Sequence, residues 1–306
     1  MLRQALLAAS RSEGVRRLVE RAPVTRDVVR RFVAGETIGD ALRVTGELTG
    51  EGLLVSLDVL GEDTRDKEQV EANVRHYAEL LDRLGAMGLG PRAEVSVKLS
   101  AVGLTLDEDL ALDGARRICA AARTVGTTVT VDMEEHASVD ATLRIVHELR
   151  RDFPDTGAVI QAYLRRAEEY CAELAYEGSR VRLCKGAYAA PEPVAFTAKD
   201  EIDKSYVRCM KILMAGRGHP MIATHDPRLI DMAAALAVLH DRDAGSFEYQ
   251  MLYGVRPQEQ RRLAREGAQV RVYVAYGREW YAYFMRRLAE RPANLRFFVR
   301  SLTSRK

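Results

Sequence analysis

The chain is poor in the features that mark several protein classes. It has four cysteines in 306 residues, Cys119, Cys171, Cys184 and Cys209. Their spacings match no zinc knuckle, redox pair or disulfide framework, so free thiols in a reducing compartment are expected. No run approaches the roughly 18 consecutive apolar residues of a membrane span. There is no excess of charge: 46 Lys and Arg face 44 Asp and Glu, a net +2. That balance argues against a dedicated nucleic-acid binder. Internal repeats, low-complexity stretches and a GxGxxG fingerprint are absent, and no Pro/Gly-rich linker divides residues 50–300. With 47% hydrophobic and 29% charged residues, the composition is that of a folded chain with a sizeable core. The length allows two domains, or one barrel of roughly 250 residues with a short appendage.

Residues 1–46 read as an N-terminal helical segment, followed by the main domain over 47–306. Arg16, Arg17, Arg21, Arg30 and Arg31 interleave with Leu18, Val19, Val28, Val29 and Phe32. A solvated helix face is the plain reading of these arginines, and a lipid or nucleic-acid patch the sharper one. The apolar positions are expected to lie against the barrel. The opening MLRQALLAAS is only weakly apolar and is followed by Glu13 and Glu20, a poor export signal. A cytoplasmic protein is the expectation, with peripheral membrane contact left open.

After residue 50, short apolar runs alternate with long amphipathic stretches. Strands are predicted at Leu53–Leu57, Ala93–Val97, Thr127–Val131, Ala158–Ala162, Val181–Cys184, Met221–Ala223, Ser246–Tyr249 and Val270–Val274. Helices are predicted between them and after the last, at Arg278–Arg291. Eight strands each followed by a helix in about 250 residues is the arithmetic of a (β/α)8 TIM barrel, with a doubly wound sheet as the alternative.

A barrel carries its chemistry at the carboxyl ends of its strands. Each predicted strand here ends in polar or ionisable groups: Asp58; Lys98; Asp132; Gln161; Arg182 and Lys185; Thr224, His225 and Asp226; Gln250; Tyr273 and Tyr276. One such end is an ordinary cap; eight converging on one mouth suggest a site with several charged contacts. His136, His147 and His225 lack metal-ligand spacing, and no metal is expected. Arg286 and Arg287 in the last helix suit a bidentate carboxylate clamp if they face the mouth, and a solvated face otherwise.

Seven segments then occur in a fixed order: SVKLS at 96–100, VDMEE at 131–135, Gln161-Ala-Tyr-Leu, Arg182-Leu-Cys-Lys-Gly-Ala-Tyr, Ala223-Thr-His-Asp, Phe247-Glu-Tyr-Gln-Met-Leu-Tyr-Gly-Val-Arg-Pro and Tyr283-Phe-Met-Arg-Arg-Leu-Ala-Glu-Arg-Pro. In these the chain resembles the proline dehydrogenase family, in its short single-function bacterial form. The resemblance implies a distorted (β/α)8 barrel with N-terminal helices, FAD as cofactor, oxidation of L-proline to Δ1-pyrroline-5-carboxylate, and a quinone as electron acceptor. By resemblance, Arg286 and Arg287 grip the proline carboxylate with Lys98. Asp132 is the active-site aspartate, and Arg182 and Gln161 hydrogen-bond the flavin near its reactive edge. Met133, Lys185, Gly186, Ala187, Thr224 and His225 contact the cofactor. Tyr273 and Tyr283 wall the proline pocket above Leu252. Glu62 resembles the acid that gates the site with the first arginine. Two departures stand out. Ala275 replaces a proline common in relatives and is expected to loosen the loop into the last helix. Cys184 replaces a valine and reads as a small apolar filler.

The strand-end inventory agrees with that chemistry. Hydride removal beside an amine needs a neutral amine held over flavin N5. The cations Lys98, Arg286 and Arg287 disfavour its protonation. Two other readings stay open on the residues. A Schiff-base aldolase would use Lys98 or Lys185 as nucleophile. A non-catalytic binding protein would use the basic N-terminal helices. Oligomeric state is not readable.

Overall fold

In a computed structural model the described residues are 29–61 and 64–290, with the side chains of Arg286 and of 288–290 excepted. The N-terminal expectations for residues 1–28, the Glu62 gate and the Arg286 side chain lie outside them.

Eight strands form one parallel sheet: β1 (Leu54–Val59), β2 (Ala93–Val97), β3 (Val129–Val131), β4 (Ala158–Gln161), β5 (Arg180–Cys184), β6 (His219–Ala223), β7 (Glu248–Leu252) and β8 (Val270–Tyr276). Their order is β3-β2-β1-β8-β7-β6-β5-β4. The ring closes between β3 and β4 through a single parallel bridge, Thr130 to Gly157, where the Val131 amide donates to the Gly157 carbonyl at 2.9 Å. The eight predicted strands are all present, and the chain is a distorted (β/α)8 barrel.

The helices are α1 (Ile38–Gly50), α2 (Lys67–Ala86), α3 (Glu108–Thr124), α4 (Val139–Asp152), α5 (Ala167–Leu174), α6 (Lys199–Ala215), α7 (Pro227–Leu239), α8 (Pro257–Arg265) and α9 (Trp280–Glu290). Four of them start on a side-chain cap. Thr37 and Asp40 form a capping box at α1, and Asp66, Asp107 and Asp226 cap α2, α3 and α7. Apolar side chains of β1–β8 and the inner faces of the helices make one continuous core.

Two elements distort the barrel. Helix α1 packs outside β1 and β8, the slot a regular eighth helix would fill. Helix α9 instead joins a second apolar cluster with Val29, Phe32, Val33, Leu60, Val255 and Ala275, onto which Leu252 and Tyr273 pack. The continuous helix read over residues 1–46 is broken: residues 31–37 are not helical and lace across the strand ends. The Ala34 amide donates to the Ala275 carbonyl and the Gly277 amide to the Gly35 carbonyl, both at 2.9 Å. Gly254 is in the left-handed region, and a Cβ there would sit 1.6 Å from the Arg31 carbonyl oxygen, so only glycine lets this strap lie down. The expected loose loop at Ala275 is absent. Ala275 lies inside β8, in register with Asp58, and is fully buried.

Candidate active site

Inward-facing positions alternate along each strand, so every second residue meets the barrel axis. Here those positions carry charge in two tiers. The lower tier joins Glu94 (β2), Arg180 (β5), Glu248 (β7) and Arg271 (β8). Arg271 clamps Glu248 with two bonds of 2.7 and 3.0 Å, and Arg180 reaches Glu94 at 2.7 Å. Burial alone would push the Glu94 carboxyl up. The guanidiniums of Arg271, Arg180 and Arg182 outweigh it and hold the group at about 2.

The upper tier opens at the mouth. Lys98 pairs with Asp58 and lies 3.8 Å from Asp132 Oδ2. The Tyr273 hydroxyl donates to Asp132 Oδ2 at 2.7 Å, and Ser96 Oγ donates to Oδ1 at 2.8 Å. Burial and the neighbouring Asp132 charge push the Tyr273 phenol well above its usual range, so it stays a donor. Arg182 lies between the tiers. Its Nε donates to Gln250 Oε1 at 2.5 Å, Nη1 to Asp132 at 2.6 Å and to Ser96 at 2.9 Å, and Nη2 to Ser56 at 3.1 Å and Glu94 at 3.4 Å. A guanidinium has five N–H groups, and all five meet protein acceptors. The resemblance implies a hydrogen bond from Arg182 to a flavin. It can act on one through its charge, or by surrendering a bond.

Lys98, Asp132, Arg182 and Tyr273 are therefore in direct contact. Gln161 joins them from β4: its Nε2 donates to the carbonyls of Met133 and Glu134 at 2.7 and 3.0 Å, while its buried Oε1 has no hydrogen-bond partner among the described residues. Leu252, Tyr273 and Tyr283 share the second cluster. The Arg287 guanidinium stacks over Tyr283, 5.0 Å from the ring centroid. Arg287 is also near enough to Cys184 to oppose the burial that pushes this thiol up to about 11. Cys184 is thus a neutral, half-buried group at the mouth, as the reading of a small filler expects.

On the other side, Gly186 is left-handed, and a Cβ there would come within 2.3 Å of the Tyr163 ring. Lys185 is tied to Asp203 at 2.5 Å and lies 3.7 Å from Asp226. Thr224 Oγ1 accepts the Asp226 amide at 3.1 Å, and His225 Nε2 accepts the Leu252 amide at 2.9 Å. Tyr276 is not at the mouth: its hydroxyl meets His76 of α2 at 2.9 Å, between sheet and helices. Ser56, Ser96, Glu94 and Glu248 were missed from sequence. Their signal was strict polar alternation, as in Glu94-Val-Ser96-Val-Lys98 and Arg180-Val-Arg182, within parallel strands that are ordinarily apolar on both faces.

The residues present suit a flavin. An orphaned, buried acceptor at Gln161 Oε1 fits a ring N–H, and a side-chain-free turn at Gly186 allows close approach of a flat ligand. The family model described as proline dehydrogenase matches residues 41–300. The chain is 37% identical over 302 residues to Proline dehydrogenase 1 of Bacillus subtilis (strain 168), covering 99% of each. It is 39% identical over 281 residues to a proline dehydrogenase of Deinococcus radiodurans, covering 90% of each. It superposes with a TM-score of 0.79 and 25% identity on the crystal structure of proline utilization A from Bdellovibrio bacteriovorus inactivated by N-propargylglycine. That match covers 86% of this chain and 32% of the longer one. The barrel, the charged mouth and these matches agree that the chain belongs to the proline dehydrogenase family, in its single-function form.

Proposed function

We propose that this mouth binds FAD and L-proline, oxidises proline to Δ1-pyrroline-5-carboxylate, and passes the electron pair on to a quinone. The observation that carries the reading is the contact cluster of Lys98, Asp132, Arg182 and Tyr273 beside the orphaned Gln161 Oε1. FAD, when bound, supplies the two-electron acceptor. Everything else is positioning and electrostatics by the chain. Gln161, the turn Lys185-Gly186-Ala187, Met133, Thr224 and His225 are the groups that would hold it.

Arg286 and Arg287 of α9 take the proline carboxylate, since a planar fork matches it with two parallel bonds. Lys98 is compensated by Asp58 and Asp132, so it orients rather than carries that anion. The surrounding cations disfavour a protonated substrate amine. Its nitrogen lone pair is then free to form the C=N bond as hydride leaves the adjacent ring carbon and the nitrogen proton leaves to solvent. Arg182, buried and fully bonded, keeps a fixed positive charge beneath the reacting atoms, which favours charge arriving there. Tyr273, Tyr283 and Leu252 exclude water from the pocket. Glu62 gates entry with Arg286. The protein works in the cytoplasm with peripheral contact to the membrane that holds the quinone.

An absorption spectrum of the purified protein, before and after anaerobic L-proline, tests the reading. Flavin bands that bleach on addition support it. A colourless protein, or flavin bands that proline leaves unchanged, overturns it.

A further inference from the structure

Arg256 is one of only two non-glycine residues in the described chain with positive φ, at φ 54° and ψ 49°. It sits at the mouth, between β7 and the proline that opens α8. An L side chain in this region is disfavoured, and such residues persist only where the surroundings hold them. Here the hold is visible. The Arg256 Nη1 crosses to the adjacent loop and donates to the His225 carbonyl at 2.7 Å. Glu259, 3.5 Å from Nη2, steadies the guanidinium. His225 in turn accepts the Leu252 amide on Nε2. Gln260 closes the loop, donating to the carbonyls of Leu252 and Val255 at 3.0 and 2.9 Å. Leu252 pairs in register with Tyr273, whose hydroxyl holds Asp132.

The loops after β6 and β7 are thus clasped, and the clasp sets three groups: the His225 ring, the Leu252 backbone and, through the strand register, Tyr273. We propose that Arg256 is a positioning residue for the proline and flavin pockets. Its left-handed backbone aims the guanidinium at the His225 carbonyl, and the clasp fixes the floor of the substrate pocket at Leu252 and the His225 edge of the cofactor site. The inference rests on the reading of this mouth as the flavin and proline site. A glycine would occupy the same backbone without strain. The arginine is required for its guanidinium, not for the turn.

That separation gives the test. In Arg256→Gly and Arg256→Ala the guanidinium is lost, but only alanine keeps the backbone strain, so the alanine variant melts below the glycine variant. Function follows the guanidinium instead. Both variants raise the KM for proline by about 10-fold, with kcat changed less than 3-fold, and weaken FAD binding to the flavin-free protein by a similar factor, the loss expected when one charge-assisted hydrogen bond is removed. Fluorescence quenching on titration with FAD measures the second effect independently of turnover. Arg256→Lys, which keeps a donor, recovers part of both. An Arg256→Gly protein with wild-type KM and flavin affinity overturns the inference, as do losses that track melting temperature across the three variants. If the wild-type protein holds no flavin that proline bleaches, the reading of the site has failed instead.

Discussion

The two charged tiers inside the barrel are built from the same residue types and do different jobs. In the lower tier Glu94 meets three guanidiniums, Glu248 takes a two-bond clamp from Arg271, and every member comes from within a strand. The upper tier holds its two aspartates with an ammonium, a phenol, a serine and one guanidinium, and Lys98 and Asp132 stand just past the ends of β2 and β3. Several arginines on one acid, or a two-bond clamp from one, fix geometry. Single, dissimilar partners leave charge that a ligand can redistribute. Barrel interiors are ordinarily filled by branched apolar side chains. Here the lower ion pairs replace that filling and form a rigid floor for the chemistry above.

The sharpest way to break the comparison is Arg271→Met, which leaves Glu248 buried without its two-bond partner. Removing one half of a buried pair costs about 3–5 kcal/mol. Urea unfolding should show that loss. A loss below 1 kcal/mol would mean that the lower tier does not carry the fold. Asp132→Ala is the matching experiment above. It should lower kcat/KM by roughly 10- to 200-fold, the cost of one or two charge-assisted bonds. The urea midpoint should move less than in Arg271→Met, and the bound flavin should become easier to reduce as positive charge is left in excess. Normal turnover with an unchanged flavin potential would make Asp132 an ordinary ion-pair member.

A smaller loss is expected from Arg286→Lys or Arg287→Lys. An ammonium cannot make the two parallel bonds of a guanidinium. KM for proline should rise by about 10-fold or more while flavin content stays near wild type. Unchanged proline kinetics in both variants would place the carboxylate elsewhere. The smallest effect is one of pH. Glu94 is held near 2, below its ordinary 4.5, so its contribution is complete above about pH 4.5 and is lost as pH falls towards 2. Urea midpoints should drop across that window, and Glu94→Gln should flatten the slope. An equal slope in both proteins would assign acid sensitivity to other carboxylates.

The barrel was legible because its apolar runs and amphipathic helices keep their periods, and the strand Ala93–Val97 coincides with prediction to the residue. Strand limits slipped where charge enters the barrel. The predicted β5 and β6 begin after Arg180 and Pro220, and the predicted β7 begins two residues early and stops before Gln250. Their partners lie on other strands, 23 positions away for Glu248 (Arg271), 68 for Gln250 (Arg182) and 86 for Arg180 (Glu94), which no local pattern reveals. Lys98, Asp132, Arg182 and Tyr273 were legible as strand ends and by resemblance. Their mutual bonds were not, nor was the saturation of Arg182. The strap over residues 31–37 was hidden because its fit depends on Gly254, a contact between distant segments.

The closure of the barrel carries a last consequence. Between β3 and β4 the ring is held by one bridge, while Gln161 ties β4 to the carbonyls of Met133 and Glu134 just above it. One amide thus rivets the circumference with its nitrogen and offers its oxygen to the mouth. This seam is where the sheet should breathe, and the amides of Val131 and Gly157 should exchange with solvent sooner than those of β1 and β8, which share six register pairs. In Gln161→Ala that exchange should quicken further, so hoop strength and ligand capture would fall together.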